Sequence, residues 1–299
     1  TAAFFYGIND CFTKDMAKSN NCLIVMFREA IMLLQPLMDM MSHQQIPNAT
    51  LYVIGTPIGN ICDISLRALA ILDAADVVAC EDTRNTRALL NAYQLTKPLI
   101  AAHQHNEREA AQQLITRLEK GERVALVSDA GTPAVSDPGA KIVDSVRCAG
   151  YRVVPVPGPS AGITALSASG FSDDRFMFIG FLPVKNIQRL EVLQQLREIP
   201  AALIFYEAPH RIMDMLKALN QVFEPERQIM ISRELTKLFE ETWRGTLSSV
   251  EGWMIADNNR SKGEFVILVE GAKAKENQED EASKKVLSVL LEVLPVSAA

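Results

Sequence analysis

No two cysteines of this sequence stand in a C-x-x-C pair. The five, Cys11, Cys22, Cys62, Cys80 and Cys148, are scattered over 299 residues. That spacing argues against a zinc or disulfide framework and fits a reducing cytoplasm. A long apolar run is missing too. Cys22–Phe27 is broken by Arg28 and Glu29, resumes as Ala30–Leu34 and meets Pro36, whereas a membrane-spanning helix needs about 20 largely uncharged residues. No small-residue cleavage site follows it, so it does not read as a signal peptide. Basic charge is in deficit: 30 Lys and Arg against 36 Asp and Glu leave a net charge of −6. A general nucleic-acid binder is therefore excluded, and any RNA has to be held by a local patch or by shape. There is no phosphate loop, no G-x-G-x-x-G and no nucleophile elbow. Histidine is scarce, at four residues. His103 and His105 would share a face of a strand, but no third ligand lies nearby and no metal is expected.

What is present is the balance of a globular protein, 48% hydrophobic and 22% charged, with length for two domains of about 100–150 residues. The first fifty residues read apart from the rest. The sequence opens on Thr, and Met is concentrated before position 42. Residues 1–50 are read as an extension outside the core, residues 1–40 as dispensable for the fold, and Met41 as a sensible start.

From Leu51 onward, short apolar strands alternate with helical patterns. Strands are expected at Leu51–Ile54, Val77–Cys80, Arg123–Ser128 and Tyr151–Val156. Helices are expected at Leu66–Ala75 behind Ser65 as N-cap, at Glu107–Lys120, where Asn106 and Glu109 resemble a capping box, and at Pro138–Ala149. Such alternation implies mainly parallel pairing covered on both faces. A second unit begins near Ser160. Its expected strands are Arg175–Gly180, Ala201–Tyr206, Arg227–Ser232, Phe239–Thr246 and Gly263–Glu270, and its helices Ala161–Ala168, Gln188–Glu198, Pro209–Gln221 and Leu247–Ala256. The mixture of connections implies a mixed sheet. Lys273–Lys285 is charged without an apolar face, and Val286–Leu294 begins an amphipathic helix. The domains are thus 51–158 and 159–271, with 272–299 a charged linker and a truncated helix.

Three Gly/Pro turns follow three strands: Gly55-Thr56-Pro57-Ile58-Gly59-Asn60, Ser128-Asp129-Ala130-Gly131-Thr132-Pro133 and Pro157-Gly158-Pro159-Ser160-Ala161-Gly162. In a parallel sheet such turns gather at one edge, where ligands bind. None contains Lys or Arg, so they suit a largely uncharged ligand read by main-chain groups better than a triphosphate. Polar clusters flank them. Glu81-Asp82-Thr83-Arg84 serves either as a ligand site or as a helix cap. Tyr206-Glu207-Ala208-Pro209-His210-Arg211, Arg233-Glu234-Leu235-Thr236-Lys237 and Lys262-Gly263-Glu264 stand at strand ends, as solvated turns or as charges facing a cleft.

These turns and clusters, with Ser136-Asp137-Pro138-Gly139 and Phe205-Tyr206-Glu207, resemble in order and spacing the bacterial small-subunit ribosomal RNA (cytidine-2′-O)-methyltransferases of the tetrapyrrole methylase superfamily, from Leu51 to about Gly271. The resemblance implies a tetrapyrrole-methylase-like fold: two α/β domains, a mainly parallel N-terminal sheet and a mixed C-terminal sheet with flanking helices. It also implies S-adenosylmethionine in the cleft between them, a homodimer, and methyl transfer to a ribose 2′-hydroxyl of small-subunit RNA. The family usually continues into a small basic helical segment beyond the point where this sequence ends. Residues assigned to the cofactor are Gly55, Thr56, Pro57, Asp129, Ala130, Gly131, Pro133, Pro159, Ser160, Tyr206, Gly263 and Glu264. Asp82 and Glu207 are the candidate carboxylate bases. Arg84, Arg211, Arg233 and Lys237 are the cations that would hold phosphate or favour the alkoxide. The alternatives are a methyltransferase acting on a tetrapyrrole carbon and a non-catalytic cofactor- or RNA-binding module.

Overall fold

The computed structural model describes residues 44–273 and 288–289. Residues 1–43 of the expected extension lie outside these residues. So do the charged stretch after Lys273 and, but for two residues, the helix expected at Val286–Leu294. The last residues of the extension do not stand apart, since Ile46 packs on the core and Thr50 opens the first strand. The chain divides into two units. Among the described residues, one contains 44–56 and Asp63–Gly158; the other contains Pro57–Cys62 and those from Pro159 onward.

The first unit is a parallel sheet of β1 (Thr50–Ile54), β2 (Val77–Cys80), β3 (Leu99–Ala101), β4 (Arg123–Val127) and β5 (Arg152–Val156), in the order β3-β2-β4-β1-β5. Helices α1 (Leu66–Ala74), α2 (Thr83–Ala92), α3 (Glu107–Glu119) and α4 (Ala140–Cys148) connect the strands. β2 is buried along its whole length, the mark of a strand covered on both faces. On one face Leu51, Val77, Val124 and Leu126 pack with Leu114 and Leu118 of α3 and with Ile142 and Val146 of α4. On the other, Tyr52, Ile54 and Val78 pack with Ile71 and Leu72 of α1 and Leu90 of α2. Ser65 caps α1, its hydroxyl accepting from the Ala68 amide at 3.1 Å.

Three local expectations change. Asn106 makes no cap bond to α3. Its amide instead accepts from His103 N at 2.8 Å and donates to Ala101 O at 2.9 Å, closing the turn after β3. That turn holds His103 and His105, so neither is on a strand. Helix α4 starts at Ala140 rather than Pro138, because Gly139 is held at φ +133° just before it, a conformation open mainly to glycine.

The second unit is a mixed sheet of β6 (Phe176–Phe181), β7 (Ala202–Glu207), β8 (Gln228–Arg233), β9 (Glu241–Thr246) and β10 (Phe265–Val269), in the order β6-β7-β10-β8-β9. β6 and β7 are parallel, and every other pair is antiparallel. Helices α6 (Asn186–Leu196), α7 (Ile212–Val222) and α8 (Leu247–Ile255) cover one face, packing on Leu203, Phe205, Ile231, Phe265 and Ile267. Helix α5 (Ala161–Ser169) covers Ile204, Met230, Val266 and Leu268 on the other.

Candidate active site

In the first unit Ile54 of β1 is in register with Val127 of β4 and Val156 of β5. The three Gly/Pro turns therefore leave adjacent strands at one level, at the carboxyl edge where parallel sheets bind ligands. Two backbone contacts lock them. Thr56 and Gly131 exchange amide–carbonyl bonds of 2.9 and 3.0 Å, and the Thr56 hydroxyl donates to Ser128 O at 3.1 Å. Gly55 and Gly158 touch backbone to backbone: a Cβ on Gly158 would stand 2.8 Å from Gly55 Cα. These two glycines are needed for close approach of two chain segments. On the 128–139 loop Gly131 and Pro133 are buried, whereas Asp129 and Ala130 face solvent.

Cys80 pairs with Val127, which brings the acidic cluster after β2 to the same edge. Asp129 accepts from the Asp82 amide at 3.1 Å and from Asn85 Nδ2 at 2.7 Å. Asp82 is the N-cap of α2. Its carboxylate takes the Arg84 amide at 2.8 Å and the Arg84 guanidinium at 2.6 Å, which hold its pKa down to about 2. Asp82 is thus a fully ionised cap, a poor proton acceptor at neutral pH. Arg84 is mostly in solvent, with 86% of its side chain exposed. Burial, then Asp137 and Asp129, push the Glu81 carboxyl up; burial pushes Asp137 up as well. Neither Glu81 nor Asp137 stands out in the sequence by itself, although both lie inside motifs that do.

Glu107, buried at the start of α3, holds the far end of the 128–139 loop. It accepts from the Gly139 amide at 2.8 Å and pairs with Lys141 at 3.1 Å. Burial pushes its carboxyl up, but the Gly139 amide and Lys141 outweigh this and leave its pKa below the ordinary value. A native pKa below the unfolded one stabilises the fold above the unfolded value of about 4.3, and the gain is lost as pH falls through the native one. Glu107→Ala is expected to lower unfolding free energy by about 1–2 kcal/mol at pH 7, and by less at pH 4. Urea titrations at both pH values measure this; a deficit independent of pH would show that the charge is not what holds the loop.

In the second unit Phe265 at the start of β10 is opposite both Glu207 at the end of β7 and Arg233 at the end of β8. Directly paired residues share a face, and neighbours along a strand point oppositely. Glu207 and Arg233 therefore lie on the α6–α8 face, and Tyr206 on the α5 face. Adjacent in sequence, Tyr206 and Glu207 are separated by the sheet. The Glu207 side chain is fully buried and pairs with Arg211 Nε at 3.1 Å. Arg211 also donates to Leu182 O. Arg233 reaches Glu241 at 3.5 Å and Lys262 O at 3.3 Å. Lys237 Nζ sits between Glu234 at 2.9 Å and Glu264 at 2.6 Å. Arg211, Arg233 and Lys237 are thus each held by a carboxylate of the same unit, and Arg84 belongs to the other.

On the α5 face Ser160 occupies the N-cap position of α5 but makes no cap bond. The Tyr206 hydroxyl does that work, accepting from the Gly162 amide at 3.0 Å, with Phe178 and Phe181 edge-on to its ring. Pro159 and Ser160 thereby keep their turn while the Ser160 hydroxyl stays out of the cap. Among the described residues no group of three His, Cys, Asp or Glu is placed to hold a metal ion, and no helix is long and apolar enough to cross a membrane.

Solved methyltransferases have a similar fold. Uroporphyrin-III-C-methyltransferase from Thermus thermophilus superposes with a TM-score of 0.53 at 19% identity, covering 83% of this chain and 99% of that one. The methyltransferase CobJ superposes with a TM-score of 0.55 at 21% identity, covering 76% and 95%. At such identities the likeness is one of fold. The family model of tetrapyrrole (corrin/porphyrin) methylases matches residues 50–251. Ribosomal RNA small subunit methyltransferase I of Haemophilus influenzae is 46% identical over 252 residues, 83% of this chain and 89% of that protein. Its namesake in Mesorhizobium japonicum is 49% identical over 249 residues, 83% and 84% of the two chains. The chain belongs to the tetrapyrrole methylase family, in the branch of the ribosomal RNA small subunit methyltransferase I proteins, and it is a methyltransferase.

Proposed function

We propose that this chain transfers the methyl group of S-adenosylmethionine to the 2′-hydroxyl of a cytidine ribose in small-subunit ribosomal RNA. The reading is carried by three uncharged Gly/Pro turns that leave β4, β1 and β5 at one level, in a chain 44–49% identical to ribosomal RNA small subunit methyltransferases. The donor set suits S-adenosylmethionine. The turns carry no Lys or Arg, and Glu81, Asp82, Asp129 and Asp137 stand at the same edge. Carbonyls and carboxylates favour a ligand with a sulfonium and an amine, and repel a triphosphate. We assign the ligand to Gly55, Thr56, Asp129, Ala130, Gly131 and Pro133 of the first unit. In the second unit we assign it to Pro57, Pro159, Ser160, Tyr206, Gly263 and Glu264.

When bound, S-adenosylmethionine supplies an electrophilic methyl carbon open to in-line attack. The chain's part is to align the ribose oxygen with that carbon, which by itself provides several kcal/mol of the barrier, and to receive the hydroxyl proton. Asp82 is occupied by Arg84, and Glu207 by Arg211 on the far face of its sheet. Glu81 and Asp137 carry the raised pKa that a carboxylate proton acceptor needs.

Tyr206→Phe removes one oxygen and leaves the Gly162 amide uncapped. It is expected to weaken S-adenosylmethionine binding roughly fivefold, the worth of one neutral hydrogen bond, with little change in melting temperature. Calorimetry on the variant checks this; unchanged affinity would remove the α5 turn from the site.

A cytoplasmic homodimer completes the reading. β6 is an edge strand, and Phe176, Phe181, Val184 and Ile187 are all more than half exposed along it and just after it. A contiguous apolar edge of this kind suits a second copy. Phe181→Glu should halve the mass measured by light scattering.

Labelled S-adenosylmethionine, offered with unmodified small ribosomal subunits or with a porphyrinoid, separates the alternatives. Label in RNA supports the proposal, and label in the porphyrinoid the tetrapyrrole reading. Tight binding without transfer supports a non-catalytic module.

A further inference from the structure

We propose that Lys237 is a positioning residue for the first Gly/Pro turn and not an RNA contact. The inference rests on the donor site proposed above for its consequence, but on geometry alone for the anchor. The turn's second half, Pro57–Cys62, clusters with the second unit. There Gly59 lies directly on the 234–237 loop: a Cβ at Gly59 would meet Lys237 Cγ at 2.5 Å and Thr236 Oγ1 at 2.9 Å. Only the bare main chain of a glycine fits against that lysine stem.

The surface that Gly59 rests on is built rigidly. Lys237 Nζ bridges Glu234 and Glu264. Glu234 Oε1 also accepts the Glu264 amide at 2.9 Å, and the Glu234 amide donates to Glu264 O at 3.0 Å. Gly263, at φ +91°, leaves the space that Glu234 fills; a Cβ there would stand 2.5 Å from Glu234 Cγ. The loop closes on itself through Lys237 N to Glu234 O at 3.0 Å, Glu240 N to Lys237 O at 3.1 Å, and the Thr236 amide to the Glu240 carboxylate. Glu234 and Thr236 hold φ of +51° and +66° without being glycine. Such backbone is tolerated where surrounding contacts over-determine it, and it concentrates at functional loops. The Thr236 hydroxyl is buried without a hydrogen-bond partner, turned against Gly59 rather than spent on the loop. A cation that faces two carboxylates has little charge left for a phosphate. Its aliphatic stem is the part that touches another functional segment.

The test is amide hydrogen exchange in the ligand-free protein together with calorimetry for S-adenosylmethionine. Lys237→Ala is expected to speed exchange across residues 57–62. It should also weaken S-adenosylmethionine about tenfold, the scale of one charge-assisted hydrogen bond, while the KM for small subunits stays within about twofold. Lys237→Met keeps the stem and loses the charge, and should fall between. Gly59→Ala pushes on the same contact from the other side. It should reproduce both effects, and should decide the matter if the lysine variants do not fold. Unchanged exchange at 57–62 with a raised KM for subunits would overturn the inference and make Lys237 an RNA contact. If the wild type fails to bind S-adenosylmethionine, the proposed donor falls, and the exchange readout still decides the anchor.

Discussion

Gly158→Ala is expected to destabilise the first unit by about 1–3 kcal/mol, the range for forcing a methyl group into a packed site. It is also expected to abolish measurable cofactor binding. The Cβ would stand 2.8 Å from both Cα and O of Gly55. Both obstacles are backbone, so no rotamer change relieves them. Gly55 and Gly158 follow β1 and β5, which are paired in register up to Ile54 and Val156. Relief therefore means prising apart two strand ends at the carboxyl edge of the sheet. Gly55→Ala should behave alike, since its own Cβ would stand 2.9 Å from Gly158 Cα. Guanidinium titration and calorimetry check both effects. Wild-type stability and affinity in either variant would show that the turns have room to separate, and that the edge is not a preformed site.

Glu207→Ala is expected to cost more, about 3–5 kcal/mol, the penalty for leaving one member of a buried ion pair alone. Glu207 is sealed from solvent, and its Oε1 also accepts the Ala208 amide at 2.9 Å. Arg211, left behind, keeps the Leu182 carbonyl but no carboxylate among the described residues. Glu207→Gln separates this from a catalytic role. As a structural ion-pair partner, Glu207 should give a glutamine variant that melts well below the wild type and keeps its turnover per folded molecule. A base would give the reverse, wild-type melting with turnover lost.

Much of the first unit can be read directly from the sequence, because its covered strands are short apolar runs that stop at a polar residue, glycine or proline. Val77–Cys80 has the same bounds in the structure as in the sequence reading, and β1, β4 and β5 differ by a residue or two. Two elements escape that reading. β3 has three residues, none fully buried, too few to show a period. α2, TRNTRALLNA, buries only Thr86 and Leu90, so its polar face hides the apolar stripe, and Asp82 reads equally as a ligand site or as a cap. At the site, residue types were legible and orientation was not. Tyr206 and Glu207 look like one motif, yet a strand's period of two sends them to opposite faces. Of the groups that touch Lys237, Glu234 is local, but Gly59 and Glu264 lie at separations over which no local pattern carries information. Positive φ at Glu234 and Thr236 leaves no mark in composition, since neither is glycine.

The most direct measurement concerns where the methyl group ends up. A 2′-O-methyl group blocks alkaline cleavage, because the neighbouring hydroxyl is the nucleophile in that reaction. Small subunits methylated by this protein with labelled S-adenosylmethionine should yield, after alkaline hydrolysis of their RNA, the label in a single alkali-stable dinucleotide that begins with cytidine. Label released in mononucleotides, or found on a base, would contradict ribose methylation and with it the roles proposed for the residues at the carboxyl edge of the first sheet.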